Sequence, residues 1–132
     1  MSRTTSMSRR RWILNDEEMV MKEVDPHEAI EYIFKHGRKY AQAKAERTYL
    51  EEFRKSRKAM LMKEAETWGH KTSAAQEREA YAHEAYIALL EGLRDAVAVE
   101  EELRWGLVAA QARIDVWRSQ EASARQEIKA VL

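Results

Sequence analysis

Between residues 82 and 131 apolar side chains recur at alternating steps of three and four, without a stutter, for about seven heptads. One series is Tyr86, Leu93, Glu100, Leu107, Ile114, Glu121 and Ile128. The other is Ala82, Leu89, Ala96, Leu103, Ala110, Trp117, Ala124 and Val131. A 3.5-residue period keeps one seam of a helix on a neighbour only if the two supercoil left-handedly, so this stretch predicts a coiled coil. Small and large residues alternate in the second series, which lets a neighbouring backbone approach closely at some layers. Glu100 and Glu121 interrupt the first, a device that fixes register at a cost in stability.

The rest of the chain offers few ways to fold otherwise. Four Gly and one Pro in 132 residues are too few turn residues for a sandwich, a barrel or a Gly-rich phosphate fold. Zero Cys excludes disulfides, thiolate zinc sites and a Cys nucleophile. No apolar run approaches the roughly 20 residues of a membrane span, and there is no signal-peptide core. The fold class expected is therefore all-α. It is a long antiparallel helical hairpin of coiled-coil type with a short N-terminal helix, dimerising into a helical bundle.

Local signals delimit three helices in one domain, 13–132, preceded by a basic arm, 1–12. Asn15 with Glu18 fits a capping box and opens a short helix at about 16–24, with Met19, Val20 and Val24 as its apolar edge. Asp25-Pro26-His27-Glu28 is a start signal: an N-cap carboxylate, Pro at the first helical position and an acid in the first turn. The second helix then runs over about 26–67, stopped by Gly69. Ser73 with Gln76 opens the third, about 74–130. A short turn makes the second and third helices antiparallel neighbours. The face expected to meet the third helix comprises Ile30, Ile33, Phe34, Gly37, Ala41, Ala45, Tyr49, Phe53, Met60, Leu61 and Trp68. With a turn centred near residue 71, Glu100 falls opposite about residue 42, and Lys44 or Arg38 is its expected ion-pair partner.

A second apolar stripe, Ala98, Trp105, Ala109, Ala112 and Val116, lies on the back of the third helix, away from its heptad seam. Such a stripe calls for another helix. The third helix also overshoots the second by residues 115–130. Either the N-terminal helix folds back or a second copy covers these surfaces. A homodimer is the expectation, with Ala98, Trp105, Ala109, Ala112, Val116 and Trp117 at its interface.

Formal charge is zero, from 23 basic and 23 acidic residues, but the charges are segregated. Residues 1–12 carry +4, 16–34 carry −6, 35–63 carry +7 and 74–131 carry −4. A basic arm and a basic helix in an otherwise acidic chain can pair internally or bind phosphate. The residues that point to single-stranded DNA are Arg9, Arg10, Arg11 and Trp12 in the arm, with Lys44, Arg47, Arg54, Lys55, Arg57 and Lys58 on the helix. Cations track the backbone and Trp stacks on an unpaired base. No helix-turn-helix or zinc-finger spacing points to duplex reading.

Catalytic chemistry is not indicated. His27, His36, His70 and His83 form no Glu-x-x-His or His-x-x-x-His pair, so neither a metal nor a cofactor is expected. No GxxxxGK[ST], GxGxxG or GxSxG occurs. Consecutive acids such as Glu100, Glu101 and Glu102 point to different helix faces and make no dyad. The expectation is a non-enzyme with no small-molecule substrate and no membrane partner.

Four stretches resemble small helical proteins encoded by tailed phages and prophages. They are Arg57-x-x-Met60-Leu61-Met62, Gln76-Glu77-x-x-Ala80-x-Ala82 with Tyr86, Leu103-Arg104-Trp105, and Trp117-Arg118-Ser119-x-x-Ala122-x-x-Arg125. The resemblance spans roughly residues 45–126. Such proteins lie beside single-strand annealing recombinases and exonucleases. The resemblance thus implies an accessory role in phage DNA recombination or replication, in the cytoplasm of an infected bacterium, through single-stranded DNA or a recombination protein. It carries over no functional residue. Two other functions fit the same residues. One is an inhibitor of a host nuclease or defence complex, with Glu100–Glu102 or the Asp16–Glu31 cluster mimicking nucleic acid. The other is a structural coiled-coil adaptor of the virion.

Overall fold

The computed structural model describes residues 24–132, which form three helices: α1 (Pro26–Thr67), α2 (Ser73–Ala82) and α3 (Glu84–Val131). No strand occurs among the described residues. The expected arm 1–12 and short helix 16–24 lie outside them, save Val24.

The start of α1 is built as its sequence dictates. The Asp25 carboxylate accepts hydrogen bonds from the amides of His27 at 3.0 Å and Glu28 at 3.4 Å, and Pro26 occupies the first turn, where no intrahelical donor is needed. At the other end Gly69 adopts φ +105°, a backbone state open to glycine and strained for other residues. The next helix starts one residue earlier than Ser73 suggests. Thr72 is the cap, accepting from the Ala75 amide at 3.1 Å, while the Gln76 side chain donates instead to the His70 carbonyl at 2.9 Å. Gln76 thus ties the turn together rather than closing a capping box.

The helix expected over 74–130 is interrupted at His83. That residue is extended (φ −70°, ψ 139°), and its ring nitrogen accepts from the Ala85 amide at 3.0 Å, so it ends α2 and caps α3. Packing gives the reason. Ala80 and Tyr86 both close on Leu61, in the apolar cluster next to the turn. In an unbroken helix two residues six apart lie about 120° apart around the axis, and only one could face Leu61. Tyr81 meets Tyr86 edge to face at 5.3 Å across the same break.

Contacts between α1 and α3 follow opposite chain directions, from Leu61 beside Tyr86, through Arg47 on Glu100, to Tyr32 beside Gly106. On α3 the covered residues are those of the heptad: Tyr86, Leu89, Leu93, Ala96, Glu100, Leu103, Leu107, Ala110, Ile114 and Trp117 are buried or half-buried. Past Trp117 the series is exposed, because α1 has ended.

On α1 the face used is only in part the one its apolar residues mark: Ile33, Gly37, Phe53 and Leu61 are half-buried or buried, and the other expected residues are exposed. The covered set is Ala29, Ile33, His36, Tyr40, Ala43, Arg47, Leu50, Arg54, Arg57, Leu61 and Ala65, again in steps of three and four. Of the residues expected there, Phe34 is 81% exposed, Tyr49 61%, Met60 54% and Trp68 79%. Ala41 and Ala45 are exposed too. The cause is the period. The stripe from Ile30 to Phe53 advances mostly by four, drifting about 40° per step around the helix, so it leaves any straight neighbour within a few turns. Only the three-and-four set stays on α3 over the full length. Three arginines and a histidine come to the seam as a result.

Candidate interaction surface

The seam is thin and polar. Among the described residues the buried apolar side chains are Ala29, Leu61, Ala65, Ala80, Tyr86 and Ala110, four of them alanine. Glu100, the one buried charged residue among them, accepts from the Arg47 Nε and, at 3.2 Å, from Arg47 Nη2. Arg47 also donates to Glu51 at 2.8 Å. Those two carboxylates hold the guanidinium pKa above its ordinary value, Glu100 chiefly. Lys44 and Arg38, the partners expected for Glu100, are exposed.

Nearer the turn, Lys58 donates to Glu77 at 2.8 Å and sits 4.6 Å from the Tyr81 ring centre. Its pKa is raised, first by Glu77 and then by the Tyr81 hydroxyl, and that of Glu77 is lowered by Lys58. Arg57 lies over the Phe53 ring at 5.4 Å, with its Nε buried and without a hydrogen-bond partner.

These pairings redistribute the cations that pointed to DNA. Arg47 and Lys58 are committed to carboxylates of the return arm, and Arg54 and Arg57 are half-buried on the seam. Lys44 and Lys55 are exposed, with Lys55 3.3 Å from Glu52. The arm residues Arg9, Arg10, Arg11 and Trp12 lie outside the described residues. The structure therefore does not gather the six helix cations on one open face. The heptad phase that puts every third or fourth residue on α3 also takes Arg47, Arg54 and Arg57 with it. Among the acids proposed as nucleic-acid mimics, Glu100 is buried in the seam and Glu101 is bound at 2.7 Å to Arg104, which lowers the Glu101 pKa.

The back of α3 is open. Trp105 is 59% exposed, and Ile87, Leu90, Val97, Val108 and Val116 are exposed as well. Ala98, Ala109 and Ala112 join them. At 100° per residue these side chains occupy about one third of the circumference, centred opposite the heptad seam. The Arg104 guanidinium lies 4.7 Å from the Trp105 ring, so one flank of the stripe is already ordered by Glu101, Arg104 and Trp105 acting together. Trp117 does not belong here. It is half-buried and continues the heptad toward α1.

Sequence reasoning missed two features. The α1 stripe of Ile30, Phe34, Tyr49 and Met60 is a second exposed apolar surface, with Tyr49 and Phe53 stacked at 5.7 Å. Tyr32, stacked on His36 at 3.8 Å, fills the space left by the missing side chain of Gly106. Only Gly106 itself, mid-helix where glycine is unfavourable, signalled a close approach.

Among the described residues no group of three or more His, Asp or Glu is arranged to hold a metal ion, and no helix is long and apolar enough to cross a membrane. No protein-family model, curated protein or solved structure matches the chain.

Proposed function

We propose that this chain is a non-enzymatic helical interaction protein, of coiled-coil type, whose working surface is the apolar stripe on the back of α3. The observation that carries this reading is the exposure of Trp105 at the centre of an apolar face about 30 residues long, while Leu61 and Tyr86 are the only large apolar side chains buried among the described residues. Soluble helices place polar residues opposite their seam. An apolar face there packs on nothing among the described residues and gains when another helix covers it. Trp flanked by Arg is also the composition of an interface centre.

On the resemblance to phage proteins, that interaction is proposed to serve DNA recombination or replication, with a protein as the bound partner. Single-stranded DNA is the second reading. It rests on Arg9, Arg10, Arg11 and Trp12 with Lys44 and Lys55, since Arg47 and Lys58 already hold carboxylates.

A tagged full-length chain and its Trp105→Glu variant, used as bait in nuclease-treated bacterial lysate and mixed separately with an untagged copy, test the reading. The expected result is a stoichiometric partner, a second copy or another protein, retained by the wild type and lost by the variant. Equal retention by both removes the stripe as the working surface. A gel shift with a single-stranded oligonucleotide at low salt tests the second reading, which fails if no complex forms.

A further inference from the structure

We infer that the stripe is covered by the α3 of a second copy, running antiparallel about a two-fold axis beside Trp105 and Ala109. This rests on the reading of the stripe as the working surface and names its occupant.

The first argument is shape. A two-fold contact uses one patch twice, so the patch must complement itself. About an axis at residue 107, Trp105 lies opposite Ala109 of the other copy, and Val116 lies opposite Ala98. At these two positions a large side chain therefore meets a small one, and all four residues are exposed. Alanine opposite Trp lets the two backbones approach without a void.

Charges beside the stripe also favour the antiparallel orientation. Arg94 and Asp95 precede Ala98 along the helix, and Asp115 and Arg118 bracket Val116. Asp95 and Arg118 lie roughly 18 and 17 Å from the axis at 1.5 Å per residue. All four side chains are exposed by 60% or more. Antiparallel pairing about this axis brings Asp95 within one residue of the level of the second copy's Arg118. Parallel pairing would bring each residue to its own like charge, which disfavours that orientation.

Arrangement about the axis is testable because the chain has no cysteine. Ala98 and Val116 are exposed, so replacing them leaves the α1–α3 seam untouched. Sedimentation equilibrium of the full chain is expected to give twice the 15.5 kDa chain mass, and Trp105→Glu is expected to weaken the dimer by at least tenfold. Under mild oxidation the double variant Ala98→Cys, Val116→Cys is expected to cross-link into a dimer, while Ala98→Cys alone and Val116→Cys alone stay uncross-linked. Efficient cross-linking of either single variant would mean a parallel pair and overturn the inference. A chain that sediments as a monomer overturns it too. If that monomer still loses another bound protein on Trp105→Glu, the stripe is a working surface with a different occupant, and only the second copy is wrong.

Discussion

Glu100 is held by Arg47 through two hydrogen bonds across the seam, although the short turn places Glu100 opposite residue 42 or so. Gln42 and Ala43 line one groove with Val99, Glu102 and Leu103. The five-residue offset comes from the lean of helical side chains toward their own N-terminus. In an antiparallel pair the two leans converge. Arg47 tilts toward the level of Glu100, and Glu100 tilts back toward it, whereas Lys44 and Arg38 tilt past.

Removing the Glu100 carboxylate should therefore destabilise the chain more than removing any surface acid. Glu100→Ala leaves Arg47 with Glu51 alone, and a charge that loses its buried counter-charge is costly. Thermal unfolding followed by circular dichroism should show a fall in Tm of several degrees, against little change for Glu52→Ala. Replacing both partners, Glu100→Leu with Arg47→Leu, should recover the loss, because an apolar layer replaces an ion pair without desolvating charge.

Leu61 is the large aliphatic side chain of the buried cluster, set between Ala80 and Tyr86. Leu61→Ala should cost about 2–4 kcal/mol, the usual range for a buried leucine. Urea unfolding measures it. An equal loss for Met60→Ala, whose side chain is 54% exposed, would mean that the apolar stripe of α1 is covered after all.

Two mid-helix glycines of α3 should respond oppositely to alanine. A Cβ on Gly92 meets nothing within 4 Å, so Gly92→Ala should stabilise by about 0.5–1 kcal/mol through helix propensity. A Cβ on Gly106 would collide with the Tyr32 hydroxyl. Gly106→Ala should gain less than Gly92→Ala or lose stability, and trimming the obstacle with Tyr32→Ala in the same chain should bring back the propensity gain. Comparison of the denaturation midpoints decides between these outcomes.

Acid should loosen the turn end of the molecule. Lys58 and Arg104 hold the carboxylates of Glu77 and Glu101 below their ordinary value of 4.5. A depressed carboxylate pKa contributes stability above the unfolded value and loses it as pH falls through the folded one. Lys58 has a raised pKa, so its contribution persists upward past the ordinary lysine value of 10.5. Tm should be flat from about pH 6 to 9 and fall below about pH 4.5. In Glu77→Gln the acid fall should be smaller. An unchanged acid limb in that variant would exclude Glu77 as a contributor.

Much of the architecture was legible because its causes are local. The Asp25-Pro26 start, the Gly69 stop and the three-and-four repeat from Tyr86 to Trp117 act within a few residues of chain, and each stands in the structure where the sequence puts it. The Trp105 stripe was legible for the same reason, since helical periodicity alone separates it from the seam. The site cations were harder to read. A run of Lys and Arg on a helix looks alike whether it faces solvent or carboxylates, and Arg47 and Lys58 find theirs 53 and 19 residues away.

What the sequence by itself determined is the helical class, the Asp25-Pro26 start and Gly69 stop of α1 and the phase of the best repeat, on α3, because capping bonds and backbone propensity are satisfied within one turn. Tertiary structure decided which face of α1 meets α3. The apolar stripe from Ile30 to Phe53 is the more hydrophobic, but its four-residue step winds it away from a straight partner, and the polar set from Ala29 to Ala65 keeps pace. It decided the break at His83 as well. No Gly or Pro marks that position. Leu61 can be enclosed by both Ala80 and Tyr86 only if the helix between them is interrupted, and that requirement exists only once α1 is in place.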